Sequence, residues 1–282
     1  MMASCLRSGK KAKRESATGP NWLELPKELT TIILQKLNTI EIVTSASPVC
    51  SLWWNICKDP LMWCTIDMIE DSDHPNHKLE KICRYAIDRS CGHLEDISIG
   101  NFATNDLLKY IADSTNHLYR LRLRECRAIS DKGLIEVANK FPVLEELDIS
   151  YSNLTKDSLK AICRCCPHLK ALKFNSTGNL YDEVAFAIAG TMPKLRHLHV
   201  ALNRFSNEGL DAILDGCPLL EYLDLGFCFN KTCVTKSLRK RCPDLISKRP
   251  GFHFTSKIMI SSKKIIGWTL VNEENISQFN YV

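Results

Sequence analysis

The sequence predicts an α/β fold: a solenoid with parallel strands on its concave side and helices on its convex side, behind a small three-helix module. Three observations predict it. A leucine returns about every 25 residues, at Leu94, Leu118, Leu144, Leu169, Leu195, Leu220 and Leu245, and self-similarity at such a period marks a stacked array of identical units. Two further columns keep phase with those leucines. Residues 21–67 lack the repeat and carry three short helical patterns instead.

The strand element is the run L-x-x-L-x-L, seen in LEDISI, LYRLRL, LEELDI, LKALKF, LRHLHV and LEYLDL. Alternation places its last two apolar residues on one face of a strand. The helix element lies upstream. Ile87, Ile111, Val137, Ile162, Ile188, Ile213 and Leu238 stand seven residues before the anchors. Leu134, Val137 and Ala138 share one helical face, as do Leu159, Ile162 and Cys163, and Leu210, Ile213 and Leu214. The third column, three residues before each anchor, holds Cys91, Thr115, Phe141, Cys166, Met192, Cys217 and Cys242. Proline follows it at Pro142, Pro167, Pro193, Pro218 and Pro243, and supplies no amide to continue a helix. No unit can bury its leucines alone, so several must stack.

In the N-terminal module Pro26 suits the first turn of a helix, and Leu29, Ile32, Ile33 and Leu37 recur at helical spacing. Ile40, Ile42 and Val43 predict a short middle helix. Ser47 and Pro48 are expected as N-cap and first residue of a third helix, lined by Val49, Cys50, Trp53, Ile56 and Cys57. So small a core is marginal alone and is expected to gain support from the repeats or a partner.

Composition narrows the function classes. The formal net charge is +5, of which residues 1–20 hold +4 through Arg7, Lys10, Lys11, Lys13 and Arg14 against Glu15. The rest is nearly neutral, so a nucleic-acid partner is not expected. The fourteen cysteines are read as reduced and buried, since no secretory signal precedes them and several occupy a repeat column. No apolar run is long enough for a membrane span. A cytoplasmic or nuclear location is expected, with Lys10-Lys11-Ala12-Lys13-Arg14 either an import signal or a solvated arm.

The residues also carry two resemblances. Cys166-Pro167-His168-Leu169 and Cys217-Pro218-Leu219-Leu220 resemble the cysteine-containing class of leucine-rich repeats, over roughly residues 80–250. Leu25-Pro26 with Glu28-Leu29, the pair Ile32-Ile33, Val49-Cys50-x-x-Trp53 and Asp59-Pro60 before Trp63 resemble an F-box. Trp54 departs from that pattern where the family usually has a basic residue, and Met62 where it often has leucine. The combination is similar to plant F-box/leucine-rich-repeat proteins. The expected organisation is a basic tail over 1–20, an F-box over 21–67, repeats over 68–250, and an irregular cap or tail over 251–282, with strand-like runs at Lys257–Ile260 and Ile265–Leu270.

That resemblance implies a non-catalytic substrate receptor of a ubiquitin ligase. The F-box would dock a Skp-family adaptor and through it cullin and RING subunits. Leu25, Pro26, Leu29, Ile32, Ile33, Leu37, Val49, Trp53 and Trp63 are the implied adaptor-binding residues. The repeats would hold a protein substrate. A scaffold without ligase association is the alternative.

Period-two alternation nominates the concave residues for that substrate: Arg120, Arg122 and Arg124, then Glu146 and Asp148, Lys173 with Asn175, His197 and His199, and Tyr222 with Asp224. Clustered arginines suit an acidic or phosphorylated segment. The competing reading pairs them with Glu146 and Asp148 across the strands. His197, His199 and Asp224 form only a loose metal set, so neither metal nor cofactor is expected. No Gly-rich phosphate loop, H-E-x-x-H or G-x-S-x-G motif appears.

Overall fold

The computed structural model describes residues 24–69, 75–225, 256–261 and 264–270. Expectations for the basic tail and for the seventh repeat, with Leu238, Cys242 and Leu245, lie outside these residues. The module contains α1 (Lys27–Leu34), α2 (Thr39–Glu41) running into a π-helical turn (Ile42–Ala46), and α3 (Ser51–Ile56). A 3-10 turn over Pro60–Trp63 leads into β1 (Thr65–Met68). The repeats then alternate α4 (Asn76–Ser90), β2 (Asp96–Ile99), α5 (Asn105–Ser114), β3 (Arg120–Arg124), α6 (Asp131–Val137), β4 (Glu146–Ser150) and α7 (Lys156–Cys165). They continue with β5 (Ala171–Leu180), α8 (Asp182–Thr191), β6 (His197–Asn203), α9 (Asn207–Gly216) and β7 (Tyr222–Asp224). Strands β1 to β7 are parallel and in sequence order. Beyond β7, β8 (Ser256–Ser261) and β9 (Lys264–Leu270) add an antiparallel hairpin to the last parallel strand, within a segment expected to be irregular.

The sheet begins at Thr65, three residues before the boundary expected at 68. Ile66 and Met68 alternate inward against β2, so a strand forms without the repeat signature. The anchors Leu94, Leu118, Leu144, Leu169, Leu195 and Leu220 are all buried in one continuous core. Of the third column, Thr115, Phe141, Cys166, Met192 and Cys217 are buried. Cys91 is not: it is exposed, in the left-handed conformation that ends α4. Burial pushes the thiols of Cys126, Cys166 and Cys217 up to about 12, so they pack as protonated apolar groups at neutral pH.

Phe141, Cys166, Met192 and Cys217 precede the prolines and leave the helical region together, with φ near −110 to −120 and ψ between 53 and 74. A proline ring disfavours helical geometry in the residue before it. At the other end, Thr104, Ser130, Thr155 and Ser206 accept from the first-turn amides of α5, α6, α7 and α9.

A side-chain staple links successive helix starts. Asn105 Oδ1 accepts from the Ser130 amide at 2.9 Å, Asp131 Oδ1 from Thr155 at 2.9 Å, and Asp182 Oδ1 from Ser206 at 2.7 Å. The staple explains Gly133 and Gly209, where an added Cβ would lie 2.0 Å from Asn105 Oδ1 and 2.2 Å from Asp182 Oδ1. It breaks between α7 and α8, where Lys156 offers no acceptor and Tyr181 caps no amide.

Asp131 also accepts from the Thr155 and Ser158 hydroxyls. Burial opposes its charge, but these bonds outweigh burial and hold its carboxyl below the usual carboxylate range. A lowered folded value gives stability that is present above the unfolded pKa, about 3.9, and is lost as pH falls through the folded value. Asp131→Ala should therefore cost about 1–2 kcal/mol at neutral pH, scaled to a partly exposed carboxylate. Urea midpoints of wild type and variant should converge on acidification below about pH 4; a gap independent of pH would refute the staple's charged role.

Candidate functional site

Two surfaces carry the candidate residues. The first is the outer face of the module. The apolar stripe of α1 points away from the module's core: Leu29, Ile32 and Ile33 are exposed, while Thr30 and Leu34 are buried. Thr30 tolerates burial because its hydroxyl donates to the Pro26 carbonyl at 3.2 Å. Pro26 and Val49 are exposed and Leu25 is half-buried. Exposures from 39% at Ile33 to 60% at Val49 make a ridge of large apolar side chains, on a module whose interior is already filled by Leu34, Ile40, Ile42, Ala46 and Ile56. Such ridges mark interaction surfaces.

Three of the nine nominated residues do not stand on that ridge. Leu37 and Trp53 are half-buried against the core. Trp63 is buried, donates its indole N–H to the Cys57 carbonyl at 2.9 Å, and sits edge-on to Tyr85 of α4 with centroids 6.0 Å apart. It is an internal post between module and repeats, which corrects its nomination as a contact residue. The expected cap is also displaced. Ser47 donates its hydroxyl back to the Ile42 carbonyl at 2.7 Å within the π-helical turn, so Cys50 takes the N-cap of α3. Leu61 and Trp54 are exposed and were missed. The adjacent pair Trp53-Trp54 was the available signal, because neighbours on a helix cannot both face one core.

Contacts between module and repeats are direct, one through β1 and one through α4. The Asp67 amide donates to Thr39 Oγ1 at 3.0 Å, and Arg89 Nη2 donates to the Lys58 carbonyl at 2.6 Å. Asn38 and Ile40 of the module thereby help line the second surface, a trough of about 490 Å³ along the exposed face of the sheet.

Register sets the chemistry of the trough. Asp96, Arg120, Glu146, Ala171, His197 and Tyr222 form one row, and Ser98, Arg122, Asp148, Lys173, His199 and Asp224 the next. Arg122 is the centre. Its Nε and Nη2 donate to the two Glu146 carboxylate oxygens at 2.9 and 3.1 Å, and its Nη1 to Asp96 Oδ1 at 3.0 Å and Ser98 Oγ at 3.1 Å. Arg120 Nε donates to Asp96 Oδ2 at 2.7 Å and Arg124 Nε to Asp148 Oδ2 at 3.3 Å. Lys173 lies 3.6 Å from Asp148 and His199 Nδ1 2.8 Å from Asp224 Oδ2.

The arginines are thus partnered across the strands, as the pairing alternative expected, and are no free cationic cluster. Asp96, missed as a partner, occupies in LEDISI the slot that Arg120 occupies in LYRLRL. Asp96, Asp148 and Asp224 lie deeper than the side chains of Arg120, Arg124 and Lys173, whereas Glu146 and Arg122 are equally half-buried. Among the described residues no three His, Cys, Asp or Glu side chains converge as metal ligands would; His197 stands beside Tyr222 instead.

A parallel sheet of stacked 25-residue units behind a three-helix module defines a leucine-rich-repeat protein. A family model described as Leucine Rich repeat matches residues 142–163 and 191–214. Three relatives are from Arabidopsis thaliana. "F-box protein SKIP19" is 48% identical, over 82% of this chain and 77% of its own length. "Putative F-box/LRR-repeat protein 23" is 46% identical over 79% of this chain, which spans about half (51%) of that relative. "Putative F-box/LRR-repeat protein 9" is 44% identical, over 76% of this chain and 90% of its own length. The chain belongs to the F-box/leucine-rich-repeat family.

Proposed function

We propose that the chain is the substrate-recognition subunit of a Skp–cullin–F-box ubiquitin ligase, acting in the cytoplasm or nucleus without catalytic chemistry of its own. The observation that carries this reading is the outward ridge of Leu29, Ile32, Ile33 and Val49, on a module that is already packed. A module serving only as an N-terminal cap would turn its apolar stripe inward. Transfer of each such side chain from water to an interface contributes about 1.5–3 kcal/mol. The trough is the surface offered to substrate; Arg120 and Arg124, the most exposed of its paired cations, can add contacts to a segment bearing carboxylates while Asp96 and Asp148 hold them in place.

The test is a pull-down with a purified Skp-family adaptor. Ile32→Asp with Ile33→Asp should weaken binding by about a hundredfold or more, with the circular dichroism spectrum unchanged. Undiminished capture by this double variant would refute the ridge assignment. Absence of adaptor binding by the wild-type chain would favour a scaffold outside any ligase.

A further inference from the structure

The two ends of the sheet are finished differently. At its start, Thr39 of α2 covers β1, taking the Asp67 amide on its Oγ1 at 3.0 Å. At its end, β9 pairs antiparallel with β8 and, among the described strands, with no other. β9 is therefore the last strand of the sheet, and one row of its backbone amides and carbonyls faces away from β8.

The residues of that edge do not protect it. Natural edge strands are blunted by internal charge, by proline or by brevity. β9 spans seven residues, Lys264–Leu270. From Ile265 to Val271 the chain reads IIGWTLV, with neither proline nor charge. Such a run is a template for pairing with another strand.

Charge at the two limits of the run selects the strand it takes. Lys264 opens β9, and Glu273 and Glu274 stand just beyond its other end. Unlike charges facing each other across a strand pair stabilise it, and like charges oppose it. Parallel pairing of two copies would set lysine beside lysine and glutamate beside glutamate. Antiparallel pairing brings the basic start of each strand to the acidic end of the other. The two-fold axis of an antiparallel pair stands normal to the sheet, so opposed residues must share a face and the axis falls on a residue. With Thr269 on the axis, Lys264 lies directly opposite Glu274. With Trp268 on the axis, the two are diagonal neighbours, still within reach of long side chains. The order of charges thus favours a closed, antiparallel pair.

We propose that β9 docks antiparallel on β9 of a second copy of this chain, joining the two nine-stranded sheets across a two-fold axis. In the pair the strand runs on to Glu274. Main-chain hydrogen bonds along IIGWTLV hold the copies together, and Lys264 meets Glu274 at both ends. Both troughs then lie on the same face of the joined sheet, and the two helical modules lie at its opposite ends. The inference stands apart from the ligase reading, since neither the adaptor ridge nor the trough takes part.

Sedimentation equilibrium of the purified full chain tests this. Wild type should associate to twice the monomer mass and no further. Lys264→Glu and Glu274→Lys should each weaken dimerisation about tenfold or more, because each sets like charges together at both ends. The two variants mixed in equal amounts should form a mixed dimer, in which both ends again hold unlike charges. The double variant, with the charges exchanged, should dimerise like wild type. Recovery in the mixture and in the double variant separates lost pairing from lost folding. A wild type still monomeric at roughly 50 μM would assign the edge to a different strand, and growth past the dimer would make the pairing open-ended. Either result overturns the proposal, as does a dimer untouched by both reversals or a loss that neither the mixture nor the double variant restores.

Discussion

Trp63→Ala is expected to lower the melting temperature by about 10 °C, from a loss of about 3–5 kcal/mol for an aromatic side chain removed from a packed core. The ring is buried, sits edge-on to Tyr85, and donates to the Cys57 carbonyl. Its removal leaves a cavity where the 3-10 turn meets α4, and a buried acceptor without its donor. Trp63→Phe refills much of the volume but not the hydrogen bond, and should fall between. Adaptor affinity should follow folded fraction in both variants, so a Trp63→Phe chain held below its transition binds like wild type. A Trp63→Ala chain that melted normally yet lost the adaptor would make Trp63 a contact after all. The comparison with Ile32→Asp and Ile33→Asp is what separates an internal post from an external ridge.

That contrast also shows what a sequence can and cannot reveal here. The repeat was legible because stacking makes each unit solve the same packing problem, so Leu144, Leu169 and Leu195 must recur in phase. The three-helix module was legible as apolar positions at helical spacing, but not as inside and outside. In α1 the sequence pattern alone favours burying Leu29, Ile32 and Ile33; the structure buries Thr30 and Leu34. A hydrophobic stripe identifies a surface that will be covered, and only the neighbouring elements decide whether this chain covers it. Ser47 illustrates a competition of another kind. Its hydroxyl was a sound N-cap candidate, yet the wide turn at Ile42–Ala46 engages it first.

The trough was legible in its membership and not in its bonding. Alternation placed Arg120, Arg122 and Arg124 on the exposed face, which they share with Glu146, Asp148 and Lys173. A constant offset from each anchor leucine even fixed the register, so Asp96 could have been paired with Arg120 by counting from Leu94 and Leu118. Which guanidinium would be saturated could not be read, because it depends on side-chain reach and depth. The left-handed turns at Glu125 and Tyr151, with φ 57 at both, were invisible for a simpler reason: the sign of φ at a strand end is a property of the backbone path.

The three arginines should therefore separate when replaced singly. Arg122 has a 21% exposed side chain, against 43% for Arg120 and 40% for Arg124. Burial opposes its charge, but its bonds to Glu146 and Asp96 outweigh burial and raise its affinity for the proton, so it remains a guanidinium at any pH at which the protein folds. Arg122→Met removes four hydrogen bonds and leaves Glu146 unpaired and Asp96 held by Arg120 alone. Breaking a fully buried pair costs about 3–5 kcal/mol; with Arg120 still in place and water reaching the trough, about 2–3 kcal/mol is expected, or about 5–10 °C in melting temperature. Arg122→Lys should recover little, since one ammonium cannot bridge two carboxylates with a planar fork. Arg120→Ser and Arg124→Ser should each cost less than about 1 kcal/mol, as exposed pairs do. Their effect should instead fall on substrate capture by the trough. Replacing all three at once would merge a folding defect with a recognition defect. Equal destabilisation by the three single changes, measured by urea unfolding at low and high salt, would show that no one arginine organises the trough.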